Sequence, residues 1–116
     1  QLSSHYNLPM DVTRHLAFSY GSNFDALIRL MLDDERLRER LVADLPMVKA
    51  EVVYAARHEL AVSLTDALTR RTRLAMLAGE ASLGCARIAA ELMAAELGWN
   101  KEEMTRQVNL FAGEFE

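Results

Sequence analysis

Apolar positions recur along most of the chain at three- and four-residue spacing, the period of a helix that buries one face. Residues 1–9 read as a lead-in closed by Pro9, after which Asp11 is placed to cap a short helix that turns Val12, Leu16 and Ala17 inward. That helix stops at Gly21. Ser22 or Asn23 caps the next, whose Phe24, Leu27, Ile28 and Met31 share one side. Asp33-Asp34-Glu35 then precedes RLRERLVADL, where Leu37 and Leu41 lie one helical turn apart and the arginines sit among acids at helix-neighbour spacing, a solvated face. Leu45-Pro46-Met47 breaks the pattern, because proline has no amide proton to donate and restricts its predecessor.

Beyond Pro46 the chain contains no proline. In VKAEVVYAARHELAV two apolar rows run side by side, through Val48, Val52, Ala55/Ala56 and Glu59/Leu60, which predicts a central helix. Ser63 with Asp66 offers a capping pair, and Leu64, Leu68, Leu74/Ala75 and Ala78 continue an apolar stripe to Gly79. From Ala81 onward Cys85, Ile88, Leu92 and Ala95 define a seam, beside which Ala86, Ala90 and Ala94 permit close packing. Gly98 and Trp99 close that helix, and Asn100 with Glu103 has capping-box spacing ahead of Met104, Val108, Phe111 and Phe115. The phenylalanines serve either internal packing or contact with a neighbouring domain.

Composition agrees with this pattern. Of 116 residues, 17 are alanine and 18 leucine, against nine valines and isoleucines together, so helix formers dominate. The expected fold class is all-α, a compact irregular bundle of five or six helices over residues 10–116, with the helices beginning near residues 48, 64, 80 and 101 supplying most of the core. The length suffices for one domain, and no glycine-rich turn holds a phosphate, which excludes a complete doubly wound nucleotide-binding enzyme. No apolar run approaches the roughly 20 residues that span a bilayer. The start at Gln1 shows no signal-peptide pattern and suggests a piece of something larger. A net charge of −4 argues against a nucleic-acid partner. One cysteine and three scattered histidines cannot assemble a thiolate metal cluster, and a reducing, cytoplasmic setting follows.

Several residues invite chemistry. His58-Glu59 has half of a zinc-peptidase pattern, but Val62 stands where the second imidazole is needed, so no metal site is expected. Glu51, Tyr54 and His58 share a helical side and can build a polar network of carboxylate, phenol and imidazole, although no nucleophile is fixed beside them. Arg70, Arg71 and Arg73 concentrate positive charge. They either recognise a phosphate, a carboxylate or an acidic partner, or form ion pairs within the chain with Glu51, Glu59 or Asp66. Cys85, on an apolar side with no resolving cysteine, reads as a small core residue.

The phrases HLAFSYGSN at 15–23, AEVVYAARHELAVSLTDALTRRTRLAML at 50–77 and AAELMAAELGW at 89–99 together resemble the C-terminal helical domain of FAD-dependent glycerol-3-phosphate dehydrogenases and the related glycerophosphate oxidases. The resemblance spans about residues 12–110, and its most specific part is EVVYAARHE followed by LTDALTRRTR. It marks Tyr20, Gly21, Glu51, Tyr54, His58, Glu59, Asp66, Arg70, Arg71 and Arg73 as positions that preserve the helical lobe or its contacts, without giving any of them a catalytic role. The implied function is that of an accessory domain: the parent oxidises glycerol 3-phosphate to dihydroxyacetone phosphate with FAD, and both FAD and substrate are bound by upstream domains absent here. Such a parent passes electrons to quinone at a membrane surface, or to oxygen in the oxidases, so the domain's partners are those upstream segments. An independent helical protein-interaction module is the alternative, and it predicts a specific partner without any flavoprotein.

Overall fold

The computed structural model describes residues 8–71 and 74–114, and within them the side chains at 70, 71, 75 and 76 fall outside the description. Among the described residues there is no strand; the one extended pairing is an antiparallel bridge between Arg40 and Val48. The helices are α1 (Met10–Tyr20), α2 (Phe24–Asp33), α3 (Lys49–His58), the single turn α4 (Leu64–Asp66), α5 (Leu74–Ala78), α6 (Ala86–Leu97) and α7 (Lys101–Gly113). Three 3₁₀ segments, Gly21–Asn23, Glu35–Arg38 and Gly79–Cys85, and a π-helical segment, Ala67–Arg71, complete the regular structure. The all-α expectation holds, with five helices of ten residues or more.

Helix α3 is central, as its double apolar row predicts. Seven of its ten residues are buried. Val52, Ala55 and Ala56 enter one core with Leu64, Leu68, Leu74, Ala89, Ala90, Met93 and Phe111, while Ala50, Val53 and Tyr54 enter another with Val12, Leu16, Leu27, Ile28 and Met31. A helix walled on both sides cannot show the single stripe of a surface helix. The second core also enlarges the share of α1 and α2 beyond what was expected of them, and it takes in Leu8 from the end of the lead-in.

Four local expectations are corrected. Asp11 does not cap α1: Pro9 holds the cap position, Thr13 Oγ1 donates to its carbonyl at 3.2 Å, and Asp11 instead receives both terminal nitrogens of Arg40 at 2.8 Å. This pairing draws Arg40 out of any helix through RLRERLVADL. Only Glu35–Arg38 coils, capped by the Asp34 side chain, and residues 39–48 form a loop closed by Leu41 N–H to the Met47 carbonyl at 3.0 Å and Lys49 N–H to the Glu39 carbonyl at 2.9 Å. Leu37 and Leu41 are nevertheless both buried. The stripe from Leu64 to Ala78 is not one helix, because the π segment widens it after a single turn. The segment after Gly79 coils as 3₁₀, with Ser82 Oγ donating to the Gly79 carbonyl at 2.7 Å, and the α-helix begins only at Ala86.

That late start turns α6. The face it buries is Ala86, Ala89, Ala90 and Met93, whereas Ile88 is 41% exposed and Ala95 is exposed, so the seam Cys85–Ile88–Leu92–Ala95 does not hold as one buried line. Cys85 is buried and Leu92 is half-buried against both cores. Alanines on the inner face let α6 approach α3 closely, which leaves the larger Ile88 outside. Leu60 departs in the same way: it is 81% exposed beyond the end of α3 and does not belong to the apolar row.

Three helix termini follow the sequence, whereas Asn23 stands at the N-cap of α2 with no side-chain cap hydrogen bond. Ser63 Oγ accepts from Asp66 N–H at 3.0 Å and Asn100 Oδ1 from Glu103 N–H at 2.8 Å, while Gly98 closes α6 in the left-handed conformation at φ 76°.

Candidate functional site

Glu51 is the centre of a polar network at the start of α3, but its hydrogen-bond partners are His15, Tyr20 and Val48 and not the Tyr54 and His58 expected from spacing. Glu51 lies on the first turn of α3 with 1% of its surface exposed, where its Oε2 accepts from Val48 N–H at 2.7 Å and so satisfies an unpaired amide at the helix start. Its Oε1 takes two further partners from α1: His15 Nε2 at 2.8 Å and the Tyr20 hydroxyl, which donates at 2.9 Å. Ser19 Oγ meets the other ring nitrogen of His15 at 3.3 Å. A buried carboxylate is tolerated only when hydrogen bonds replace its lost hydration, and here three groups from two elements do so. Burial beside Glu51 pushes the Tyr20 hydroxyl far above the ordinary phenol range, keeping it protonated and a donor.

The aromatic members stack onto this centre. Tyr20 meets Tyr54 edge to face with centroids 5.2 Å apart, and Tyr54 lies 5.0 Å from the His58 ring. Glu51, Tyr54 and His58 thus share a side as their spacing predicts, with Glu51 and Tyr54 buried and His58 exposed. Nothing in their spacing pointed to His15, the missed member. Its signal was available in HLAFSY, where His15 and Ser19 are one helical turn apart and Tyr20 follows, but only the packing of α1 on α3 brings them to Glu51.

The other named residues fall elsewhere. Glu59 is half-buried at the end of α3, and Asp66 is held at the Ser63 cap. The backbone of Arg70 and Arg71 belongs to the π segment, while their side chains and the whole of Arg73 lie outside the described residues, as does Phe115. Glu51, one of the proposed ion-pair partners of those arginines, has its oxygens engaged by Val48, His15 and Tyr20. Phe111 is fully buried, which answers for it the choice between packing and contact. Cys85 is buried with its thiol pushed up to about 11 by desolvation, the state of a core residue.

Glu51 accepts hydrogen bonds from the Val48 amide, His15 and Tyr20 at one point between α1 and α3. Its carboxylate fixes the imidazole and the phenol against α3 and joins α1 to that helix through side chains alone. Among the described residues no group of three His, Cys, Asp or Glu could hold a metal, and no helix is long and apolar enough to cross a membrane.

A family model described as the C-terminal domain of alpha-glycerophosphate oxidase matches residues 1–104. The mitochondrial glycerol-3-phosphate dehydrogenase of Rattus norvegicus is 35% identical over 114 residues, covering 95% of this chain and 15% of the rat protein. The mitochondrial glycerol-3-phosphate dehydrogenase of Arabidopsis thaliana is 34% identical over 82% of this chain and 15% of its own length. Glycerol-3-phosphate dehydrogenase 2 of Mycobacterium tuberculosis is 34% identical over 82% of this chain and 16% of its own length. The chain therefore spans about one sixth of the curated relatives it matches. No solved structure matches it. With nearly the whole chain inside one family model, the chain belongs to the family of C-terminal domains of alpha-glycerophosphate oxidase.

Proposed function

We propose that this chain is the accessory C-terminal domain of an FAD-dependent glycerol-3-phosphate dehydrogenase that oxidises glycerol 3-phosphate to dihydroxyacetone phosphate, and that it buttresses the catalytic domains without taking part in the chemistry. The observation that carries the reading is the disproportion of the matches, 95% of this chain against 15% of the rat dehydrogenase. Residues 10–116 serve as one unit, with α3 as its spine.

FAD supplies the redox chemistry of such a parent. The described residues do not fit it: they form no strand, and hence no strand–turn–helix cradle for a pyrophosphate. FAD and substrate accordingly belong to the preceding domains, which are this domain's partners. The electron acceptor, quinone at the inner face of a membrane or oxygen, is likewise a property of that larger part, and the domain itself is placed in the cytoplasm or at its membrane surface. Glu51, Tyr54, His58, Glu59 and Asp66 serve the frame, and Arg70, Arg71 and Arg73 the contact with those domains.

The test is reconstitution. The purified 116-residue chain is titrated into the flavoprotein part of the parent polypeptide, with association, FAD retention and glycerol-3-phosphate-dependent electron transfer as readouts. The expected result is a complex that retains FAD better than the flavoprotein part alone. Two folded pieces that neither associate nor alter FAD retention would remove the accessory role, and turnover by the 116-residue chain alone would contradict it from the other side.

A further inference from the structure

The loop between α3 and α4 has a conformation that its own sequence does not favour. Leu60 sits at φ 59°, the left-handed region that glycine enters freely and a side chain resists, and it is the sole non-glycine residue with positive φ among those described. Burial does not compensate: Leu60 is 81% exposed and Val62 is 70% exposed.

Between them Ala61 is fully buried, with its N–H bonded to the Ala55 carbonyl at 3.0 Å. On the far side Leu64 N–H donates to the Gln107 side chain at 3.0 Å, and Gln107 Nε2 in turn donates to Glu103 at 2.7 Å. The loop is therefore pinned from α3 and from α7, and it holds two aliphatic side chains out in water on a fixed backbone. Exposed Arg57 and His58 stand at one end of it and half-buried Ser63 and Thr65 at the other, so that a small apolar centre has a polar rim. Strain kept at an exposed position points to use of that position, because glycine or asparagine there would relieve it.

We propose that Leu60 and Val62 form a two-pronged apolar plug that seats in a pocket on the catalytic part preceding this domain in the same polypeptide. The occupant is argued from length: relatives match 82–95% of this chain with only 15–16% of themselves, so most of the parent polypeptide is available as the covering surface. A pinned loop loses little freedom on docking, which favours a rigid plug over a flexible tail. The inference rests on the accessory-domain reading above.

Hydrogen exchange measured by mass spectrometry on the 116-residue chain alone and on the longer polypeptide that carries it tests the plug, with Leu60→Asp/Val62→Asp as the variant. The expected result is at least about tenfold slower exchange at residues 59–63 in the longer polypeptide, a protection lost in the double variant while the melting temperature of the 116-residue chain does not fall. Leu60→Asn, at ease with left-handed backbone and without added charge, should lose part of the same protection. Protection elsewhere in the domain but none at 59–63, or protection indifferent to both variants, overturns the plug and leaves the accessory role standing. Absence of protection anywhere in the domain overturns both. A double variant that melts the 116-residue chain at lower temperature would show that the two side chains serve the fold, and this too overturns the proposal.

Discussion

At the scale of single residues, Glu51 is the position on which most depends. Three donors converge on one buried carboxylate, so Glu51→Ala leaves the Tyr20 hydroxyl, His15 and the Val48 amide to find other acceptors in a dry site. The expected cost is about 3 kcal/mol, the order found when one partner of a buried polar pair is deleted, and urea unfolding of the 116-residue chain checks it. A loss under about 1 kcal/mol would mean that water replaces the carboxylate and that α1 is held by apolar contacts alone. Leu60 predicts the opposite sign. Leu60→Gly removes the left-handed penalty and almost no burial, and should raise the stability of the 116-residue chain by about 1 kcal/mol. A variant less stable than its parent would show that Leu60 packs within the fold. That Glu51, Tyr54 and His58 share a helical side was legible from spacing; the partnership of Glu51 with His15 was not, because a hydrogen bond between residues 36 positions apart has no local signature.

Among the elements, α6 shows why periodicity names a helix more readily than its inner face. It carries apolar residues all round, so the lines Ala86–Ala89/Ala90–Met93 and Cys85–Ile88–Leu92–Ala95 both satisfy three- and four-residue spacing. Close approach to α3 chooses the alanine line. Met93→Ala, opening a cavity in the larger core, should therefore cost about 3 kcal/mol, whereas Ile88→Ala should cost less than about 1 kcal/mol. Paired denaturation curves of the two variants decide it; equal losses would restore Ile88 to the core. The π segment at Ala67–Arg71 and the 3₁₀ segment at Gly79–Cys85 are a second case. An unbroken run of helix-forming residues does not reveal which carbonyl each amide will choose when neighbouring elements compete for the same space.

For the molecule as a whole, surface ion pairs set the response to acid. Arg40 beside Asp11, Arg36 beside Asp34 and Arg57 beside Glu96 hold those carboxyls below their ordinary range, and Arg106 with Gln107 pulls Glu103 down to about 2. Each group takes up its proton more readily in the unfolded chain than in the folded one. Their stabilisation is thus complete above their ordinary range, near about pH 4 to 4.5, and is lost as pH falls through the depressed folded values. Melting temperatures measured from pH 7 to pH 2 should decline mainly below about pH 4.5, and Glu103→Gln should make the lower part of that decline shallower. A profile flat to pH 2 would deny these pairs any weight. Since they are largely exposed, the same decline should weaken in high salt.

The sequence by itself determined the all-α class, the caps at Ser63, Gly98 and Asn100, the central place of α3 and the family, because each of these is written in local chemistry or in the order of residues. Only the tertiary structure decided that α3 divides two cores, that Arg40 leaves its helical neighbours for Asp11, that α6 turns its alanines inward and that Glu51 gathers its partners from α1. The physical reason is common to all four. Each is a competition for one partner or one volume between segments distant along the chain, and neither propensity nor period records who wins until the segments meet.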